Sequence, residues 1–269
     1  MPGTVYLVGA GPGAEDLLTL RAARLLERAD VVFFDALVPP AVLALAERAV
    51  MVEVGKRSGR HSTAQAFINK RLADAAKRYS AVVRLKGGDP MLFGRAHEEI
   101  EYLSARGVRV EVVPGVTAAL AASAELGISL TRRGASRSVV LVTPRAGDGE
   151  PPNRWVDVVR EADTAAIYMG AGEAKAISAA LIAAGKPADT PVVVVESASL
   201  PTARSFRGRL ADLEAVAARG TGGPMLILLG EVFGESAIIR AWQRAQPSSS
   251  PTALATPSGR GRSSVSSRS

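Results

Sequence analysis

The sequence predicts an α/β protein made of two α/β domains with a ligand cleft between them. Three observations lead there. Apolar runs of strand length alternate with helical patterns, the alternation stops at a polar stretch and restarts, and the loops after the runs are rich in glycine. In the first half the runs fall at 4–8, 31–34, 51–54, 81–85 and 108–113. Between them, 17–28 places Leu18, Ala22, Leu25 and Leu26 on one side of a helix, and 64–77 does the same with Phe67, Ile68 and Leu72. Both helices are expected to pack on a mostly parallel sheet. A helix of small residues at 117–126 precedes the polar stretch SLTRRGAS, and residues 128–137 read as a linker. The strand pattern resumes at 139–142, 164–169, 191–196 and 225–229. The expected domains are therefore 1–127 and 128–245, followed by a tail at 246–269.

That tail is rich in Ser, Pro and Gly and has few large apolar groups, so it cannot offset its ordering entropy and is expected to be disordered. The net charge of +7 is unevenly spread. Three of the 33 basic residues, Arg260, Arg262 and Arg268, and none of the 26 acids lie in the tail, which leaves the rest of the chain only mildly basic. Three arginines would neutralise few phosphates, so no nucleic-acid partner is expected. Among 269 residues, 47% hydrophobic, no apolar run reaches bilayer length, and MPGTVYLVG does not read as a secretory leader. A cytoplasmic protein without a membrane partner is expected. With no cysteine and only His61 and His97, thiolate chemistry is excluded and a metal site is not expected. Carboxylates, amines, backbone groups and a bound cosubstrate remain.

In open α/β sheets, ligands bind where the chain leaves the carboxyl ends of strands. Here those exits read GAGPG, Asp35, GKRSG, KGGDP and PGVTAA. Gly9, Gly11 and Ala14 fit a dinucleotide-binding spacing, with Asp35 near the position of a ribose-binding acid. Two features argue against a pyrophosphate. Glu15 and Asp16 stand at the expected helix start, where an anion would otherwise sit, and Pro12 removes one N–H from the loop. In KGGDP, Gly87 and Gly88 allow close backbone approach and Asp89 is held ahead of Pro90.

Read together, VGAGPG, FFDALV, VGKRSGRHS with QAFIN, VVRLKGGDPMLFGR, VVPGVTAALAASAELGISLT, AIYMG, VVVVESAS and GGPMLILLGEV resemble the uroporphyrinogen-III C-methyltransferases. These belong to the tetrapyrrole (class III) S-adenosylmethionine-dependent methyltransferase superfamily, and the similarity runs from about Val5 to Phe233. The resemblance implies the tetrapyrrole methylase fold, S-adenosylmethionine as methyl donor with S-adenosylhomocysteine as product, a tetrapyrrole substrate and a homodimer. It implies a donor site lined by Pro12, Gly87, Gly88, Asp89, Leu92, Thr117, Ala118, Met169 and Ala198. It also implies Asp35 as proton acceptor and Lys56 as proton donor. From the residues alone, Asp35 reads as the cap of a following helix and Lys56 as a solvated loop charge, and only their pairing in the family's motifs points to catalysis. The implied substrate bears eight carboxylates, for which Arg57, Arg60, Arg84, Arg95, Arg132 and Arg133 are candidate partners. The chain departs from the family at Ala96 and His97, where glycines are usual, at Thr131-Arg132-Arg133 in place of Thr-His-Arg, and at Thr143-Pro144-Arg145 in place of Thr-Gly-His. His97 is expected on a helix surface. The alternative functions are another corrin-ring methyltransferase, a diphthine synthase and, more distantly, an NAD-dependent oxidoreductase.

Overall fold

The computed structural model describes residues 2–54, 61–147 and 153–234, and the side chains of 61–64 are not part of that description. Lys56, Arg57, Arg60 and the tail expected at 246–269 lie outside the described residues.

Five strands, β1 (Thr4–Gly9), β2 (Val31–Phe34), β3 (Val50–Glu53), β4 (Ala81–Lys86) and β5 (Arg109–Val113), pair in parallel in the order β3-β2-β4-β1-β5. Their apolar runs are nearly continuous because helices cover both faces. α1 (Leu20–Leu26) and α2 (Pro40–Ala44) bury Ala22, Leu25, Leu26 and Val42 against Val8, Val32, Val83 and Leu85. On the opposite face, α3 (His61–Ala76) and α4 (Ala96–Ser104) bury Ile68, Leu72, Ala96 and Leu103 against Val5, Leu7, Phe33 and Val82. Alternate residues of a strand point to opposite faces, so each strand supplies both layers. Arg84 and Lys86 keep this alternation but interrupt the apolar run: they follow Val82 at period two, point at α3 and α4, and are buried.

The start of α1 differs from expectation. Glu15 and Asp16 cap no long helix; they form a 3₁₀ turn, Glu15–Leu17, and α1 begins at Leu20. Thr19 caps it, its Oγ1 accepting from Ala22 N at 3.2 Å.

The second half contains α5 (Ala118–Leu126), β6 (Val139–Val142), α6 (Trp155–Glu161), β7 (Thr164–Tyr168), α7 (Ala174–Ala183), β8 (Pro191–Glu196), β9 (Arg204–Arg209), α8 (Leu213–Ala217) and β10 (Met225–Gly230). Its sheet runs β6-β7-β10-β8-β9 and is mixed: β6 and β7 are parallel, and the other pairs are antiparallel. The sequence reading missed β9, because RSFRGR has no apolar run. It is an edge strand with one buried phenylalanine, and its arginines discourage further pairing. Along β8, Val192 and Val194 face the layer of α6, α7 and α8, while Val193 and Val195 face α5.

α5 leaves the first sheet and lays Ala119, Ala122 and Leu126 on the second. It ends at Gly127, whose φ of 64° is the left-handed turn that glycine adopts without cost. The stretch 128–137 is anchored at Ile128, Leu130 and Ser136, while Ser129, Thr131, Arg132, Arg133, Gly134 and Arg137 are exposed. Ile128 and Leu130 are buried in the same cluster, each contributing about 1.5–3 kcal/mol, and Arg132 and Ser136 close a short bridge.

After β8, a buried carboxylate organises the next turn. Glu196 Oε1 accepts from Thr221 N at 2.8 Å and Gly223 N at 2.7 Å, and the Thr221 hydroxyl lies 3.3 Å from both oxygens. Burial pushes this carboxyl up, but the backbone donors of Gly223, Thr221 and Gly222 and the Thr221 hydroxyl outweigh it and hold it below the usual carboxylate range. A carboxyl depressed in the folded state contributes stability that is present above its unfolded value and lost as pH falls through the folded one. Thermal melts from neutral to strongly acidic pH should therefore show Glu196→Gln less stable than wild type at neutral pH. The difference should shrink as the medium is acidified below the usual carboxylate range.

Candidate functional site

Because β4, β1 and β5 are neighbours, their exit loops emerge side by side at the carboxyl edge of the first sheet. They touch backbone to backbone. A Cβ on Gly9 would stand 2.6 Å from Gly115 Cα and 2.7 Å from Gly88 O, and one on Gly115 would collide with Gly88 O. Gly11 N donates to Gly88 O at 3.2 Å and Gly88 N to Gly11 O at 2.7 Å, with both glycines at positive φ, 71° and 67°. Asp89 joins the third loop to the other two. Its Oδ2 accepts from Gly115 N at 2.9 Å and its Oδ1 from Met91 N at 2.8 Å.

The second half closes over this edge. Ser199 Oγ accepts from Ala14 N at 3.0 Å, and Ser199 N donates to Glu125 Oε2 at 2.9 Å. The Tyr168 hydroxyl lies 2.7 Å from Thr117 Oγ1 and accepts from Ala119 N at 3.1 Å, at the start of α5 where no side chain of the helix serves as cap. Burial raises the Tyr168 phenol, against the bonds to Thr117 and Ala119. Its ring also meets Phe93 at 5.2 Å. Beyond it, Met169 has φ 56°, and Ser197 and Ser199, with φ 53° and 70°, flank Ala198. A left-handed backbone costs a non-glycine residue about 1–2 kcal/mol, so these two turns are held by their surroundings.

Of the residues expected in the donor site, Pro12, Gly87, Gly88, Asp89, Leu92 and Thr117 lie on the exit loops of β1, β4 and β5, with Leu92 N bonded to Asp89 O at 3.3 Å, and Ala118 opens α5 directly after the last of these loops. Met169 and Ala198 lie on the facing turns of the second sheet, beside the Tyr168 and Ser199 bonds that join the halves. Met169 is 41% exposed, so its side chain stands open rather than in the core.

Asp35 is not a helix cap. α2 begins beyond Pro39, and the Asp35 carboxylate turns to Arg84, whose Nη2 donates to Oδ1 at 2.6 Å. Arg84 is itself buried. Its Nε donates to Glu99 Oε1 at 3.1 Å and its Nη1 to Leu85 O at 3.1 Å. Lys86 Nζ donates to Glu99 Oε2 at 2.7 Å, and Gln65 Nε2 to Glu99 Oε1 at 3.2 Å. Burial pulls the Lys86 amine below its ordinary value, although Glu99 opposes the shift. Asp35, Arg84, Glu99 and Lys86 thus form an alternating cluster of two anions and two cations beneath the loops.

The arginines expected to meet substrate separate. The donors of Arg84 are directed at Asp35, Glu99 and Leu85, which removes it from the substrate set. Arg95 is exposed and paired with Glu98 at 2.6 Å, and Arg132 and Arg133 are exposed. His97 lies on the outer face of α4, 3.0 Å from Glu101, as expected of a surface histidine. Among the described residues, no group of His, Asp and Glu could hold a metal ion, and no helix is long and apolar enough to cross a membrane.

Residues 4–214 match the family model of the tetrapyrrole (corrin/porphyrin) methylases. The chain belongs to this family. A siroheme synthase of Pseudomonas fluorescens is 48% identical to this chain over 232 residues, which are 86% of the chain and 50% of that protein. A uroporphyrinogen-III C-methyltransferase of Pseudomonas aeruginosa is 45% identical over 233 residues, 86% of the chain and 95% of that protein. The crystal structure of the uroporphyrin-III C-methyl transferase from Thermus thermophilus complexed with S-adenyl homocysteine is 42% identical. It matches with a TM-score of 0.75, covering 86% of this chain and 98% of that one. The chain spans about half the length of the siroheme synthases it matches.

Sequence reasoning missed Tyr168, Ser199, Gly115, Lys86 and Glu99 as individual residues. Tyr168 and Ser199 stand inside quoted segments, AIYMG and VVVVESAS, but their partners are 51 and 185 residues away. Lys86 and Arg84 did leave a signal, two charges at period two in an otherwise apolar strand. Gly115→Ala should destabilise the protein by about 1–3 kcal/mol, because its Cβ meets fixed backbone on a neighbouring loop rather than a yielding side chain. Denaturant unfolding checks this. Gly107→Ala, at a positive-φ turn where a Cβ meets nothing, should show only the smaller backbone cost.

Proposed function

We propose that this methylase transfers methyl groups from S-adenosylmethionine to C-2 and C-7 of uroporphyrinogen III, giving precorrin-2 by way of precorrin-1 on a route to sirohaem or cobalamin. The observation that carries the reading is the 45% identity spanning 95% of a uroporphyrinogen-III C-methyltransferase.

The exit loops fit such a donor better than a dinucleotide. A pyrophosphate needs free N–H groups, yet Gly11 N is bonded to Gly88 O, Ala14 N to Ser199 Oγ, and Pro12 has no N–H. S-adenosylmethionine carries no phosphate, so this loop need not receive one. In this reading the donor lies against Pro12, Gly87, Gly88, Asp89, Leu92, Thr117, Ala118, Met169 and Ala198. The Asp89 carboxylate, already receiving two backbone donors, retains lone pairs for an amino group or ribose hydroxyl, and the exposed Met169 thioether packs on the adenine.

When bound, the donor supplies an electrophilic sulfonium methyl to an electron-rich pyrrole carbon attacking in line. The chain orients the macrocycle, and Asp35 takes the one proton the ring loses for each methyl gained, with Lys56 as the proton donor implied by the resemblance, its proton recovered within the turnover. Arg95, Arg132 and Arg133, with Arg57 and Arg60, are the arginines left to hold substrate carboxylates once Arg84 is assigned to the buried cluster. The reading includes a cytoplasmic homodimer, which a sizing column checks as a species of twice 27.9 kDa.

Anaerobic incubation with uroporphyrinogen III and labelled donor, with the product weighed, tests the reaction. Two added methyl groups are expected, and none would refute it. Asp35→Asn should keep donor affinity while single-turnover methyl transfer falls by roughly 10²- to 10⁴-fold, the contribution of a positioned acid–base group.

A further inference from the structure

We propose that Glu99 is a positioning residue for Asp35, acting through Arg84; this rests on the reading of Asp35 as the proton acceptor. Glu99 is fully buried on the inner face of α4, far too costly a place for an unpaired carboxylate. Its two oxygens receive Arg84 Nε and Gln65 Nε2 on one side and Lys86 Nζ on the other. Gln65 is in turn fixed by Asn69 Oδ1 at 2.9 Å, and Asn69 Nδ2 reaches Glu98 O at 3.5 Å, so the carboxylate is held by α3, α4 and β4 together.

The guanidinium is planar and its donors point in fixed directions. With Nε on Glu99 and Nη1 on Leu85 O, the direction of Nη2 is no longer adjustable, and Nη2 is the group that holds Asp35 Oδ1. Asp35 itself sits at the mouth of the cluster with its side chain 30% exposed, whereas those of Arg84 and Glu99 are 4% and 0% exposed. Glu99 thereby keeps Arg84 from turning a second donor to Asp35. A guanidinium free of Glu99 would pair with Asp35 bidentately and occupy both oxygens, the favoured geometry of such pairs. Among the described residues, one Asp35 oxygen is held and the other is left to accept a proton. Lys86 balances the second negative charge, so the four groups sum to zero within a site that solvates charge poorly.

The test uses the full chain, single-turnover methyl transfer to uroporphyrinogen III, and separate titration with S-adenosylmethionine. Glu99→Gln should slow transfer by about 10- to 100-fold, the scale on which a misplaced reacting group loses rate, with donor affinity unchanged. Because the variant strands the buried Lys86 cation while Arg84 keeps Asp35, the paired variant Glu99→Gln/Lys86→Met, which keeps the cluster neutral, is measured beside it and should show the same loss in a folded protein. Wild-type turnover in the paired variant would overturn the proposal. The deciding measurement is Glu99→Gln in an Asp35→Asn background. No further loss is expected there, since a residue acting only through Asp35 has nothing left to position. The same fold-loss in both backgrounds would overturn the positioning role and leave Asp35 as the acceptor. Full activity in Asp35→Asn alone would remove the acceptor reading and this inference with it.

Discussion

The site depends on one steric constraint: three chain segments leave the first sheet so close together that no side chain fits between them. Gly9, Gly88 and Gly115 meet at distances that only Cα atoms and peptide groups can reach. The paired bonds between Gly11 and Gly88 and the Asp89 carboxylate on Gly115 N then fix the contact. A bare backbone surface results, with its nearest N–H groups already bonded. Such a surface suits a ligand recognised by shape and a few hydrogen bonds, and it is poorly suited to an anion.

Two consequences follow for the rest of the molecule. The second half has to be tied to these loops, since a cleft between two sheets is only as defined as the contacts across it. Ser199 with Ala14 and Glu125, and Tyr168 with Thr117 and Ala119, supply those ties, and α5 carries the chain from one sheet onto the face of the other. The strained turns at Met169, Ser197 and Ser199 lie beside these ties. The second consequence concerns charge. The same carboxyl edge that carries the loops carries Arg84 and Lys86, buried against α3 and α4, and their burial is tolerable only because Glu99 and Asp35 are there to meet them.

Much of the fold was legible from periodicity. The nine apolar runs became strands, with ends shifted by a residue at β1, β3, β4, β5, β7 and β10, because a run reports burial on both faces of a sheet. β9 escaped because an edge strand needs no such run. The mixed direction of the second sheet escaped because strand order and polarity depend on how connections cross, and residue pattern does not encode that. The start of α1 was misplaced because acidic residues favour any helical first turn, and here that turn is the separate 3₁₀ segment before Thr19.

For the site, the sequence by itself determined the chemistry available: no thiol, almost no imidazole, glycine-rich exits at strand ends, and Asp35 and Asp89 on those exits. It also carried the family, since the motifs that mark it are contiguous. Only the tertiary structure decided which groups remain free to act. Arg84, a plausible substrate arginine in sequence, is spent on Asp35 and Glu99, and Asp35, a plausible helix cap, is held by Arg84 from 49 residues away. The physical reason is that a polar group's role is set by the partners that satisfy it after burial, and those partners are brought together by the packing of α3 and α4 on β4 rather than by their spacing along the chain.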